Sequence, residues 1–368
     1  MNNNVSLGKR KKKFQQWGWR QSVRFKTKVH DLSYFFWETT LGCNLKCRHC
    51  GSDCSIDKKD MELPAEKVLG VFKDIAEHNN PERIMVAVTG GEPLARKDLF
   101  EILSEVSKMG FPWGMVTNGM LVNEEVVEKC AAAGMRTVSV SLDGLWDSHN
   151  WLRNNEISFE RAVNALKLFK KSGYFETIDA ITCVNPKNIG DLEEVYKLLS
   201  GIGIEGWRLF TIFSKGRAEA DNDLVMNKYL LKELFEFIRE KRRKQGPMYV
   251  SYSEEGYLGC DWEREVRDDF FYCSAGINVG SLLSDGSYSA CPSLSREWIQ
   301  GHVDELTFSE AWETRYKNMR ERKWMRTCDC STCREWKNCN GSSLHLWDWK
   351  VGKTKACHFH LLNDMIQL

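Results

Sequence analysis

Tyr34-Phe-Phe-Trp-Glu38-Thr-Thr-Leu-Gly-Cys43-Asn-Leu-Lys-Cys47-Arg-His-Cys50 decides how the rest of the chain is read. An apolar, aromatic run of strand-forming residues leads into a loop with cysteines spaced CxxxCxxC. A cubane iron–sulfur cluster normally takes four thiolates. Three on one loop reach three irons and leave the fourth open. A structural zinc site would instead close a tetrahedron with two CxxC pairs. A disulfide framework does not suit a chain of 368 residues with no secretory signal.

Beyond this loop, apolar strands alternate with amphipathic helices. Strands are predicted at Tyr34–Glu38, Ile84–Val88, Gly114–Thr117, Thr137–Leu142, Thr177–Val184 and Gly206–Phe213. Helices are predicted near 64–78, 97–109, 123–133, 158–172, 189–200 and 226–244. Six such alternations argue for a parallel β/α architecture. Its functional groups belong at the carboxyl ends of the strands, where the cysteine loop lies. After Gln245 the pattern gives way to short segments rich in Gly, Ser, Trp and Cys, which usually need metal staples. Three regions are expected: a basic N-terminal extension over 1–29, a β/α core over 30–245 and a cysteine-rich domain over 246–368.

Further motifs sit at the ends of later strands. Thr89-Gly90-Gly91-Glu92-Pro93 follows the second, Thr117-Asn118-Gly119 ends the third, and Ser139-Val-Ser141-Leu-Asp143-Gly144 ends the fourth, ahead of His149 and Arg153. Together with the cysteine loop, these runs resemble the radical S-adenosylmethionine (radical SAM) superfamily. The resemblance implies a partial (β/α)6 TIM-type barrel. It implies a 4Fe–4S cluster on Cys43, Cys47 and Cys50, its open iron chelated by the methionine part of SAM. Gly90, Gly91, Glu92 and Pro93 would then hold the SAM amino group. Ser141 or Asp143 would meet the ribose, and Arg153 the carboxylate, which a guanidinium binds bidentately. Asn118 joins this cofactor-binding set, and Thr182 and Val184 are adenine-side candidates. Gly216-Arg217-Ala218 resembles an element of the same subfamily, as a substrate contact or a turn. His49 is read as shielding the cluster or lining the adenine pocket, and Cys54 as a buried small residue.

The last quarter of the chain holds Cys273, Gly286 and Cys291, then Cys330-x2-Cys333-x5-Cys339, then Cys357. This resembles the SPASM domain, which carries auxiliary iron–sulfur clusters on many radical SAM enzymes. By that resemblance Cys330, Cys333, Cys339 and Cys357 hold a distal cluster. Cys273, Cys291 and an upstream cysteine, with Cys260 the candidate, hold a proximal one. One further cysteine is missing, because Ser343 stands in its place. Either the proximal cluster keeps an open iron, or Cys328 completes it, or it is smaller or absent. Gly301, Glu305 and Trp312 resemble the stretch that bridges the SPASM halves. Trp336, Trp347 and Trp349 are read as a shell around the clusters or as plain core.

Bulk properties fit a cytoplasmic protein. Hydrophobic residues make up 42% and charged residues 28%, and no apolar run is long enough to span a bilayer. The formal net charge of +1 gives no bias toward nucleic acid. Residues 1–29 nevertheless hold nine Lys or Arg and no acid. That start admits three readings: a partly disordered arm, a peripheral membrane contact, or a holder for an acidic leader peptide. Of the 14 cysteines, four lie between Cys43 and Cys54 and eight between Cys260 and Cys357, which points to two metal-bearing regions in a reducing compartment.

The expected activity, by resemblance, is reductive cleavage of SAM to a 5′-deoxyadenosyl radical, which abstracts hydrogen from a substrate C–H bond. The first-choice substrate is a peptide or protein side chain, cross-linked, oxidised or epimerised. A small molecule such as a tetrapyrrole side chain is the alternative, since Trp37-Glu38-Thr39-Thr40 before the loop also resembles the haem-biosynthesis branch. From another class, the chain could be an iron–sulfur carrier, which needs no SAM pocket. A flavodoxin or ferredoxin would supply the electron.

Overall fold

All six anticipated strands form: β1 (Tyr34–Glu38), β2 (Met85–Thr89), β3 (Trp113–Thr117), β4 (Met135–Ser141), β5 (Thr177–Val184) and β6 (Gly206–Thr211). They lie side by side in chain order, every neighbouring pair parallel. The computed structural model describes residues 2–58, 62–253 and 256–363, with backbone only at 2–11, 13 and 222.

The connecting helices are α2 (Ala65–His78), α3 (Leu99–Lys108), α4 (Glu124–Ala132), α5 (Trp146–Arg153), α6 (Ser158–Ser172), α7 (Leu192–Ile202) and α8 (Lys228–Lys244). Their packing follows from helical spacing. On α2, Val68, Val71, Phe72 and Ile75 recur every three to four residues and are buried. Phe72 meets Phe35 of β1 edge to face at 5.7 Å and Phe111 at 5.4 Å. α5 is the one core helix that hydrophobic spacing does not predict, because its buried residues are polar, Ser148, His149, Asn150 and Arg153, apart from Leu152.

The sheet runs across the boundary expected near residue 245. β7 (Tyr249–Tyr252) pairs parallel with β6, and β8 (Val279–Leu282) pairs parallel with β1 on the opposite edge. β9 (Ser287–Ser289) and β10 (Gly301–His302) continue antiparallel beyond β8. The result is one ten-stranded sheet, ordered β10-β9-β8-β1-β2-β3-β4-β5-β6-β7, an open barrel whose edges come from the cysteine-rich region.

The basic start is not a disordered arm. Asn2–Val29 forms one helix, α1, and side chains of the C-terminal region hold it. Gln16 is buried, its Nε2 donating to Tyr257 Oη at 3.1 Å. Arg20 donates to Asn338 Oδ1 at 3.0 Å, and Trp19 packs edge-on against Tyr272 at 5.6 Å. Phe14, Trp17 and Phe25 remain exposed on it. Among the described residues, no helix is long and apolar enough to cross a membrane.

Candidate functional site

The cysteine loop leaves the end of β1 and is laced to its surroundings by backbone and side-chain hydrogen bonds. Cys43 N donates to Ser55 O at 3.2 Å, and Arg48 N to Leu152 O at 2.9 Å. Arg217 secures it from below. Its Nε donates to Cys47 O at 2.7 Å, and its Nη1 to Asp53 Oδ1 at 2.7 Å and Cys54 O at 3.0 Å. The Gly216-Arg217-Ala218 element therefore clamps the loop. A Cβ on Gly216 would strike Cys50 O at 2.5 Å, and the residue has φ +59°, so only glycine fits this close approach.

Cys43, Cys47 and Cys50 face one cavity of about 300 Å³. Gly90 and Gly91 line it too, together with Asn118, Ser141 and Arg153. The glycines are dictated by the approach of the two loops. A Cβ on Gly90, at φ +142°, would lie 2.5 Å from Thr40 O, and one on Gly91 would strike Gly42 O. Glu92 does not reach the cavity wall. It is fully buried, and its carboxylate accepts from Thr117 Oγ1 and Asn118 N, both at 2.8 Å, holding the ends of β3 and β2 together. Burial raises its pKa. Pro93 is buried beside it.

Asp143 likewise acts behind the wall. It is fully buried, accepting from Cys183 N at 2.8 Å and from Arg153 Nε at 2.5 Å. Burial, the largest influence, would raise its pKa, but the Arg153 charge, the neighbouring His49 and His149 and the Cys183 N–H together leave it lowered. Arg153 lines the cavity, with Nη1 3.9 Å from Cys47 Sγ. His149 Nδ1 accepts from Asp143 N at 2.9 Å, and burial depresses its pKa to about 3. His49 lines the cavity, its pKa lowered to about 4 by burial and its buried Nδ1 without a hydrogen-bond partner among the described residues.

Two adenine-side candidates do not reach the cavity. Thr182 Oγ1 donates to Leu142 O at 2.5 Å and accepts from Trp207 Nε1 at 2.8 Å, and Val184 is fully buried. Residues alternate across a strand, so the one between them, Cys183, faces the cavity instead. Cys54, read as core, is buried but also lines the cavity. Its hydrogen bond pulls the Cys50 thiol down to about 5, while burial pushes Cys43 up to about 11.

The C-terminal cysteines divide between two places. Cys330, Cys333, Cys339 and Cys357 line one small cavity of about 40 Å³ with Trp336, Tyr257 and His360. Burial raises Cys330 to about 11 and also raises Cys339 and Cys357. Cys273 and Cys291 line a second cavity of about 360 Å³ with Tyr34, Phe36 and His345. Cys260 and Cys328 are not there. Cys260 donates to Gln16 Oε1 at 2.8 Å under α1, and Cys328 is exposed. Ser343 is buried at 1% exposure and lines neither cavity. Trp347 and Trp349 pack with Trp324, and Trp349 also with Trp298, away from both thiol sets. Trp312 donates to His30 O at 3.0 Å.

Cys43, Cys47 and Cys50 are in no disulfide, so the loop thiols are available. Three thiols on one loop, a glycine-lined wall, a buried guanidinium and a buried unpartnered imidazole nitrogen fit a three-thiolate cluster with SAM beside it.

Comparison with known proteins agrees. Residues 37–199 match the family described as the radical SAM superfamily. The AdoMet-dependent heme synthase of Methanosarcina barkeri is 26% identical over 329 residues, spanning 83% of this chain and 89% of that protein. The mycofactocin maturase MftC of Mycolicibacterium smegmatis is 26% identical over 314 residues, spanning 84% and 77%. Among solved structures, Streptococcus suis SuiB bound to S-adenosylmethionine superposes with a TM-score of 0.68 at 17% identity, over 84% of this chain and 72% of that one. Native anSMEcpe with AdoMet and the Cp18Cys peptide superposes with a TM-score of 0.67 at 21% identity, over 92% and 95%. Fold and site define an iron–sulfur, SAM-dependent enzyme. Residues 37–199 match the radical SAM superfamily, and the cysteine-rich C-terminal region is consistent with the SPASM type. An electron carrier would need no such cavity.

Proposed function

We propose that this enzyme modifies a peptide or protein side chain at a C–H bond. The observation that carries the reading is the state of the cations in the two adjoining cavities. Arg153 is paired with Asp143, Lys215 donates to the carbonyls of Ser293 at 2.8 Å and Leu294 at 3.1 Å, and Arg217 is committed to the cysteine loop. A tetrapyrrole brings several carboxylates, which call for uncommitted cations. Among the described residues of these walls each cation already donates to a protein acceptor, and Arg153 is further called on by the SAM carboxylate, whereas a neutral side chain on a peptide needs no cation. SuiB has also been seen bound to its precursor peptide SuiA, and MftC is a maturase by name. The relatives named heme synthase favour the second reading, a tetrapyrrole side chain.

In this proposal Cys43, Cys47 and Cys50 hold a 4Fe–4S cluster. When bound, cluster and SAM supply one-electron cleavage and a carbon radical able to take hydrogen from an unactivated C–H bond. The chain's own residues orient and enclose. Arg153, held by Asp143, presents its guanidinium to the SAM carboxylate, and Ser141, Asn118 and the Gly90–Gly91 wall bound the nucleoside side. Cys183 and His49 take the place expected of Thr182 and Val184. Phe213 and Ser293 border the cavity on the auxiliary side, where the substrate enters. The cavity of Cys330, Cys333, Cys339 and Cys357 holds an auxiliary cluster. A flavodoxin- or ferredoxin-type donor and a cytoplasmic setting complete the proposal.

The test is substrate-stimulated 5′-deoxyadenosine formation by anaerobic enzyme, comparing a library of short peptides with a propionate-bearing tetrapyrrole. Peptide-dependent stimulation with a mass change on the peptide is expected. Stimulation by the tetrapyrrole alone would overturn the peptide reading.

A further inference from the structure

The geometry points to a second iron–sulfur centre in the 360 Å³ cavity, ligated by Cys273, Cys291 and His345, with the imidazole doing the work of the cysteine that Ser343 replaces. The inference rests on the reading of the C-terminal region as cluster-bearing. Cys273 precedes β8, Cys291 follows β9, and His345 sits in the 3-10 turn Leu344–Leu346. Three separate segments thus deliver three donors of iron-binding type to one cavity. Ser343, at the start of the same turn, does not line it. The two-residue offset from 343 to 345 changes which side of the turn is used, and that side carries a nitrogen donor.

Charge gives an independent reason. Arg322 is buried at 8% exposure, yet all its hydrogen-bond partners are carbonyl oxygens. Its Nη2 donates to Cys273 O at 2.8 Å and Ala275 O at 3.2 Å, and its Nε to Met319 O at 2.7 Å. A buried guanidinium without a carboxylate demands an anion nearby. Lys215 repeats the pattern at the other cysteine, donating to the carbonyls of Pro292, Ser293 and Leu294, directly after Cys291. Among the described residues neither cation donates to a carboxylate, although Glu38 lies near enough to Lys215 to act on its charge, and a thiolate-ligated cluster would add negative charge beside both cysteine segments.

A single ion fits less well. Among the described residues, only His49, Asp143 and Cys183 bring three metal-ligating atoms within 4.8 Å of one another. Cys273, Cys291 and His345 do not form such a group. Histidine in place of cysteine also leaves a less anionic centre, which raises its potential. The His345 ring lies 4.6 Å from that of Phe213, which lines the SAM-side cavity, so the centre adjoins the place where substrate sits.

The experiment uses full-length protein carrying Cys43→Ala/Cys47→Ala/Cys50→Ala, purified anaerobically without SAM, so that only C-terminal centres contribute. Iron and sulfide per chain are measured, and the reduced protein is studied by pulsed EPR after growth on ¹⁴N- or ¹⁵N-histidine. A directly bound nitrogen coupling that changes isotope with the label is expected. It should vanish in His345→Ala and in His345→Cys, with His345→Cys retaining the iron. Cys273→Ala/Cys291→Ala should lose this centre's iron and keep the distal signal. Absence of histidine coupling, its persistence in His345→Ala, or zinc in place of iron would overturn the inference. Isotope labelling of the unsubstituted chain gives the same readout if a variant fails to fold. Failure of the catalytic reading would appear separately, as no 5′-deoxyadenosine from wild type despite an intact nitrogen coupling.

Discussion

Single buried residues behind the cavity wall govern its chemistry. Burial holds His149 neutral, its pKa near 3, while an unfolded histidine titrates near about 6.5. Below that value the unfolded chain takes up a proton that the native state refuses, so stability falls as pH drops through the window. Two pH units within it amount to about 2–3 kcal/mol. Denaturant midpoints measured from pH 6.5 to 4.5 should show this loss, and His149→Asn, which keeps an acceptor without a titration, should flatten the slope. Arg217 carries a different load. Because three of its bonds tie down the cysteine loop, Arg217→Ala should weaken iron retention on the order of 10–100-fold, read as release to a chelator, with Arg217→Lys intermediate. The loop cysteines and the glycine wall were legible in the sequence because spacing and close approach leave few alternatives. Thr182 and Val184 were misplaced because a strand's period of two says which residues share a face but not which face meets the cavity. Glu92 and Asp143 were legible as site residues but not as supports, since that needs their partners Asn118 and Arg153 in space.

At the scale of elements, helices with apolar spacing and strands with aromatic runs formed where expected, within a few residues. β1 and β5 match the expected bounds. α5 was illegible for a physical reason: its buried residues apart from Leu152 are Ser148, His149, Asn150 and Arg153, so no hydrophobic period exists to read. The packing of α2 is the converse. Phe72 is fully buried and joins Phe35, Trp37 and Phe111, so Phe72→Ala should cost about 3–5 kcal/mol in denaturant unfolding while leaving the cavity-lining residues in place. A cost under about 1 kcal/mol would mean that α2 does not anchor on β1 as described. α1 shows what composition hides. Its basic composition admitted a partly disordered arm, a membrane contact or a leader-peptide holder, and Gln16, Trp19 and Arg20 attach it to the C-terminal region through partners more than 200 residues away in sequence.

Across the whole molecule, the sheet makes the two regions one structure. β7 and β8 come from beyond residue 245 and flank β6 and β1, placing the cysteine-rich segments beside the strand that launches the cluster loop. The change in composition near 245 was readable, but the strands after it were not. β7 to β10 are only two to four residues long, too short for a period to emerge. The cavity of Cys43, Cys47 and Cys50 and the Cys273–Cys291 cavity meet at Phe213 and His345, and in the proposed function a substrate between them would have a radical source on one side and an auxiliary centre on the other. The cavity of Cys43, Cys47 and Cys50 is expected to cleave SAM. The most direct measurement is 5′-deoxyadenosine formed by anaerobically reconstituted enzyme with dithionite and SAM, beside Cys43→Ala/Cys47→Ala/Cys50→Ala. The account predicts product from wild type and none from the triple variant. Equal product from both, or none from iron-loaded wild type that also fails to bind SAM, would contradict it.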